Sequence, residues 1–409
     1  MKETKFKDTE IGRIPEEWET LYIHQITEIS TGATPSTNIN EYWENGTIRW
    51  MSSGELNNKI IYDVNGRITQ KGYDNTGTHM LPKNCVLIGL AGQGKTRGTA
   101  AYNKVELCTN QSIAAILPNS KYESKYLYFY IDSLYDKLRL LSAGDGGRGG
   151  LNKQILQNLE IAMPPLNEQH HIASALTSIN NLIASLGKLI EKKKNIKQGA
   201  MQQILTGKTR LKGFTEPWVY RKISEIATTS SGGTPSRSIP NYYYGDIKWF
   251  TTTELKDNYL YDSVEHITRE ALNNSSAKMF SANTILMAMY GATIGKLGVL
   301  KEPSTTNQAC CAIKCNDIVE IFLFYILLYN RKSIIEKGCG AGQPNISQAI
   351  VNELSFLVPP CEKEQQAIAT ILTKMDNEIT ALEAKRAKYE AIKQGMMQQL
   401  LTGKIRLIS

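Results

Sequence analysis

Two stretches of the chain carry apolar residues at alternating steps of four and three. In the first, from Glu168 to Thr206, they are Ile172, Leu176, Ile179, Ile183, Leu186 and Ile190. In the second they are Ile368, Leu372, Met375, Ile379 and Leu382, resuming at Tyr389 after a break at Arg386. This spacing over about three heptads makes the narrow apolar seam of a coiled coil. Pro164-Pro165 bars helix just before the first stretch, Asn167 suits an N-cap, and Gly207 and Gly403 stand where a helix stops. At 1.5 Å per residue each helix would run roughly 60 Å. A seam that long does not stay in water. The two helices are therefore expected to pack on each other, antiparallel if a pseudo-twofold axis relates them, with a globular domain at either end of the rod. The other arrangement packs each helix on its own domain and leaves the matching seams unused.

Elsewhere the pattern is shorter. Cys85–Ile88, Ser112–Leu117 and Thr284–Met287 read as strands, and Tyr122–Leu141 and Ile318–Glu336 as helices. Turns rich in Gly, Asn, Ser and Thr separate them. The expectation is an α/β or α+β domain with many exposed loops.

A repeat organises these pieces. Ile196–Leu211 recurs as Ile392–Leu407 with thirteen of sixteen positions identical. Glu168-Gln169 with Ile172-Ala173 recurs as Glu364-Gln365 with Ile368-Ala369, and Pro164-Pro165 as Pro359-Pro360. Ser30-Thr-Gly-Ala-Thr-Pro-Ser36 matches Ser230-Ser-Gly-Gly-Thr-Pro-Ser236, and Trp18 matches Trp218. Ile48-Arg-Trp50 matches Ile247-Lys-Trp249, and Asn110-Gln111 matches Asn307-Gln308. The chain is a tandem duplication. Its expected parts are a recognition domain at 1–163, a spacer helix at 164–208, a second recognition domain at 209–358 and a second spacer helix at 359–409. The helices are nearly identical and the domains diverged, which suits a protein that reads two different things with one geometry.

Composition adds charge to this picture. The net charge is +8, and residues 188–212 and 383–406 together carry +11, more than the whole excess. That is either two solvated helix ends or a surface facing phosphates or an acidic partner. The seven cysteines form no C-x-x-C pair, and the five histidines are scattered. Buried free thiols in a reducing cytoplasm are expected rather than a metal site. The opening Met1–Lys5 has no apolar core of a signal peptide, and the apolar run Ile318–Tyr329 is too short to span a bilayer.

Candidate DNA-reading groups lie on the loops. In the first domain they are Thr34, Ser36, Lys95, Arg97, Asn110, Gln111 and Arg148. In the second they are Thr234, Ser236, Arg237, Lys296, Asn307, Gln308, Gln343 and Asn345. Arg suits guanine O6/N7 and Asn or Gln suits adenine N6/N7, whereas Lys, Ser and Thr more often hold phosphates. Any single one of these is more often structural than base-reading. The Asn-Gln pairs recur in both copies and so favour a framework role. The loops Gly144–Gly150 and Gly340–Asn345 correspond in place but differ in chemistry, as reading positions should.

Two motifs compete with this reading. Gly89–Thr96 fits the P-loop spacing, yet Arg97-Gly98-Thr99 is a poor helix start, and the matching Gly291–Leu297 lacks both the spacing and the hydroxyl. Met163-Pro-Pro-Leu166 and Val358-Pro-Pro-Cys361 faintly resemble an adenine methyltransferase loop, but lack the acidic or amide residue and the aromatic. No catalytic dyad appears.

Taken together, Ile11-Gly-x-Ile14-Pro15-x-x-Trp18, the Gly-x-Thr-Pro-Ser stretches, the Asn-Gln pairs, Pro-Pro-x-x-Glu-Gln before each helix and the Lys-Gln-Gly-x-Met-Gln-Gln-x-Leu-Thr-Gly-Lys repeats resemble the specificity (S) subunit of type I DNA restriction-modification systems. The resemblance spans the chain. It implies two target recognition domains, each reading half of a bipartite DNA site. It also implies paired helices that set the spacing and dock two modification (methyltransferase) subunits. The chain itself would be non-catalytic and would bind no cofactor. S-adenosylmethionine, ATP and Mg²⁺ would serve the modification subunits and two restriction (translocase/endonuclease) subunits. The alternatives left open are a P-loop nucleotide-binding protein, a self-sufficient methyltransferase, and the specificity part of a related restriction system with other catalytic partners.

Overall fold

Short apolar runs become strands because both their faces find cover. The computed structural model describes residues 4–92, 94–142, 150–338 and 345–408. The chain divides into two compact units, one of Met1–Gly187 with Lys385–Ser409 and the other of Lys188–Ala384.

In the first unit a five-stranded sheet runs in the order Ile29–Thr31, Ile113–Ile116, Val86–Gly89, Ala100–Asn103, Ile60–Ile61. Only the last pairing is parallel. Side chains alternate across the sheet with period two. Val86 and Ile88 join the core that contains Tyr126, Leu127 and Ile131 of the helix Ser124–Ser133. Leu87 faces the other way, toward Met51, Leu56 and Ile61. A smaller sheet, Cys108–Thr109, Ile48–Met51, Arg67–Ile68, stands beside it.

The second unit repeats this plan. Its five strands are Ala227–Ser231, Cys310–Cys315, Ile285–Ala288, Leu297–Leu300 and Asn258–Leu260. Ile285 and Met287 pack toward Phe322 and Leu323, and Leu286 and Ala288 toward Phe250 and Leu255. The mixed α/β class and the repeat expected from sequence are both present.

Two long helices, Leu166–Ile204 and Glu362–Leu400, each give their first part to one unit and their last part to the other. Within the first unit Ile172 and Leu176 share a core with Met397, Leu400 and Leu401. Within the second, Ile368 and Leu372 share one with Met201, Ile204 and Leu205. In each unit the start of one helix meets the end of the other, which is antiparallel pairing. Lys193–Glu378 and Lys197–Asp376 bridge the two helices in the same sense.

Three sequence expectations need correction. Asn167 is not the N-cap, because the helix already begins at Leu166. Its first turn is fixed by the Gln169 amide N–H donating to the Pro165 carbonyl and the Gln169 side chain donating to the Pro164 carbonyl. Tyr122–Leu141 is two helices, Ser124–Ser133 and Tyr135–Leu141, hinged at Leu134. Ile318–Glu336 is likewise Glu320–Tyr329 and Arg331–Lys337, hinged at Asn330. The stops hold as expected. Gly207 and Gly403 adopt φ of 69° and 67°, the left-handed conformation that ends a helix. Among the described residues no helix is long and apolar enough to cross a membrane.

Candidate nucleic-acid interface

In each unit the Gly-x-Thr-Pro-Ser loop and the Asn-Gln turn meet at one end of the five-stranded sheet. The edge strand Ile29–Thr31 runs straight into the Gly-x-Thr-Pro-Ser loop. That loop lies flat because Gly32 has no Cβ, for any Cβ there would meet the Thr109 carbonyl. Gly232 approaches the Thr306 and Asn307 carbonyls in the same way. Thr34 Oγ1 donates to Gln111 Oε1 at 2.6 Å, and Thr234 Oγ1 donates to Gln308 Oε1. A Trp indole fixes the loop from beneath, with Trp50 Nε1 donating to the Ala33 carbonyl at 3.0 Å and Trp249 Nε1 to that of Gly233 at 2.9 Å. A second aromatic closes it edge-on. Trp43 meets Trp50 at 5.0 Å and donates to the Ser36 carbonyl, while Tyr243 meets Trp249 at 5.8 Å and donates to the Pro235 carbonyl.

The other candidates take varied places. Asn110 and Asn307 are half-buried, their amide N–H groups donating to the carbonyls of Met51 and Phe250. Asn110 Oδ1 also accepts from the Ser112 amide, closing a local turn. Gln111 and Gln308, one residue on, are exposed. Ser36 is exposed, and Ser236 shares a hydrogen bond with Ser238. Arg237 lies 4.0 Å over the Tyr243 ring and pairs with Glu265 through both terminal nitrogens. Lys296 pairs with Asp257 at 3.1 Å. Asn345 is exposed, its amide donating to the Gly338 carbonyl. Arg148 and Gln343 lie outside the described residues.

The Gly89–Thr96 stretch is not a P-loop. Bends and a turn lead from Gly94 to the strand Ala100–Asn103, where a P-loop would begin a helix whose N-terminus faces the phosphates. Carbonyls of the loop are already engaged: Lys95 accepts from Tyr135 Oη at 3.2 Å and Gly94 accepts from Arg139. Lys95 is exposed and Arg97 half-buried beside it. The loop does adjoin the Asn-Gln turn, since the Leu90 amide donates to the Ser112 carbonyl at 2.8 Å.

Sequence reasoning missed two groups. The aromatic pairs are one, although Trp50 and Trp249 stood in the repeat. The other is a buried clasp in each unit. Arg406 donates through Nε and Nη2 to both carboxylate oxygens of Glu168, at 2.7 and 2.8 Å, and Trp18 Nε1 donates to the same carboxylate at 3.0 Å. Arg210, Glu364 and Trp218 repeat it, with both guanidinium contacts at 2.8 Å. The neighbouring glutamines anchor each helix to its domain, with Gln169 Oε1 accepting from the Glu123 amide and Gln365 Oε1 from that of Val319. Recurrence of the Glu-Gln and Gly-Lys-x-Arg motifs was the available signal; that they meet was not legible. Among the described residues no cluster of His, Cys, Asp or Glu could hold a metal.

Comparison with known proteins bears on both repeats. A family model described as the type I restriction modification DNA specificity domain matches residues 15–197 and again 215–394. The chain is 27% identical over 438 residues to the type I restriction enzyme MjaVIII specificity subunit of Methanocaldococcus jannaschii, covering 99% of this chain and 97% of that protein. It is 29% identical over 183 residues to the EcoR124I/EcoR124II specificity subunit of Escherichia coli, 44% of each chain. Among solved structures it resembles the type I restriction-modification S subunit from M. genitalium, with TM-score 0.64 and 16% identity over 94% of this chain and 96% of that one.

Proposed function

The chain belongs to the type I restriction modification DNA specificity family, with one family domain in each repeat, and from that premise we propose that it addresses a methyltransferase and restriction complex to a bipartite DNA site. Each recognition domain reads one half-site through the loops at the end of its five-stranded sheet. The paired helices set the distance between half-sites and dock two modification subunits, with two restriction subunits completing the assembly. The chain supplies the address and no chemistry. S-adenosylmethionine, ATP and Mg²⁺ act on the partner subunits, where N6 of adenine is methylated.

One observation carries this reading. Both units hold the Gly-x-Thr-Pro-Ser loop by the same contacts, yet differ in the side chains around it. A shared frame with different exposed groups is what two half-sites of unlike sequence require. The P-loop alternative has no support, because a strand stands where its helix belongs.

The test is methylation mapping in a host that carries this chain with its modification partner. A split N6-methyladenine motif should vanish when the chain is deleted. Gln111→Ala should weaken recognition of one half of the motif only. Methylation unchanged by the deletion overturns the proposal.

A further inference from the structure

A third loop lies against each Gly-x-Thr-Pro-Ser loop, and its two copies are held in the same register. In the first unit it leaves a short helix capped by Thr69, whose hydroxyl accepts from the Gly72 amide at 3.1 Å, and ends at Asn84 with φ of 71°. In the second it leaves a helix capped by Thr268, accepting from the Ala271 amide at 3.1 Å, and ends at Asn283 with φ of 64°. Asn75 and Asn274 close the helices at matching places. Frame residues thus fix both ends, while the centre differs: Gly77-Thr78-His79 in one copy, Ser276-Ala277-Lys278 in the other.

His79 and Lys278 fall at the same point of this frame, ten residues after the capping threonine and five before the left-handed asparagine. Each contacts the same serine of its edge strand. His79 Nε2 bonds Ser30 Oγ, and Lys278 Nζ donates to Ser230 Oγ at 3.0 Å. The backbone on this side is close: a Cβ on Gly233 would collide with Ser276. A cationic or imidazole group is therefore aimed beside the held loop, tethered at one point. Lys278 is exposed and has two further donors; His79 is half-exposed. Next to each stands a methionine left open to solvent in both copies, Met80 at 38% and Met279 at 41% exposure. An open aliphatic side chain kept in a loop whose neighbours have diverged is not there for the core.

We infer that position 79/278 is a specificity-determining position, at which the first domain reads a base edge with an imidazole and the second with an ammonium. This rests on the reading of the loop face as the DNA-facing surface. Lysine suits the paired acceptors O6 and N7 of guanine in the major groove. Imidazole offers a single further nitrogen, so the two half-sites differ in the base pair facing it.

The experiment replaces each residue by the other, His79→Lys and Lys278→His, in the whole complex with its modification subunits. Both replacements keep a group able to bond the serine. Lys278→Arg serves as the fold-preserving control, because arginine also reads guanine. A randomised DNA library is methylated and the modified sites are sequenced. His79→Lys should move the preference at one base pair of one half-site toward guanine, by about 5- to 100-fold, and leave the other half unchanged. Lys278→His should relax one base pair of the other half, and Lys278→Arg should retain the original motif. An unchanged motif in both swaps overturns the assignment. So does an even loss of affinity across all sequences with a shallower salt dependence, the signature of a phosphate contact. If Gln111→Ala alters the motif while the swaps do not, only this position is misassigned. If none of them alters it, the loop face itself is not the reader.

Discussion

Burial governs the chemistry of the cysteines at the heart of each sheet. It pushes the thiols of Cys85, Cys310, Cys311 and Cys315 up to about 12 from an ordinary 9.0. A neutral thiol is what the fold holds. Stability from this source is complete below pH 9 and drains away as pH rises toward 12. The burial of Tyr122, also raised to about 12, acts in the same direction. Urea midpoints measured across pH 8 to 11.5 should therefore fall above pH 9, and a rise would contradict the burial. At pH 8 iodoacetamide should spare Cys85, Cys310 and Cys311 in the folded protein and label them in urea, as peptide masses would report. The burial of Cys85, Cys310 and Cys311 was legible from the sequence, whereas Cys315 and Cys361, expected to be buried too, are only half-buried. The histidine at 79 was not legible. Its meaning lies in the serine it meets forty-nine residues away, and no periodicity encodes that meeting.

At the scale of elements, the long helices are the most legible feature and their ends the least. The four-three spacing located both, and the burial of Leu176, Leu186, Ile190 and Ile379 follows it. The starting residue depended on side-chain bonds to proline carbonyls, which propensity does not register. The clasp is the sharper case. Arg406 is 7% exposed and Glu168 1%, so removing one partner strands a buried charge. Arg406→Met should destabilise the first unit by about 3–5 kcal/mol, while Arg406→Met with Glu168→Gln, whose amide oxygen still accepts from Trp18 Nε1, should recover part of the loss. Chemical denaturation of the three proteins measures this. Equal losses in the single and double variants would mean that the ion pair itself stabilises.

For the molecule as a whole, the duplication was the decisive signal, since it separated a shared frame from diverged side chains without any knowledge of contacts. Which exposed residues stand together was less legible, because each loop face is assembled from three separate parts of its domain. If the helices set the spacing, adding four residues near Ile183 and four near Ile379 lengthens each by about 6 Å. The methylated motif should then gain base pairs between its halves, with the halves themselves unchanged. A motif of unaltered spacing would remove the helices from that role.

The clasp also orders events in time. Glu168 and Arg406 are separated by 238 positions, whereas Glu364 and Arg210 are separated by 154 and lie within one continuous stretch, Lys188–Ala384. On the ribosome, the second unit has all its parts as soon as Ala384 emerges. The first unit, though translated earlier, waits with the Trp18–Glu168 pair lacking Arg406 until residues 385–407 follow. The domain made first is thus the one completed last, and a nascent chain halted between the two would expose one finished reader and one with its seal still open.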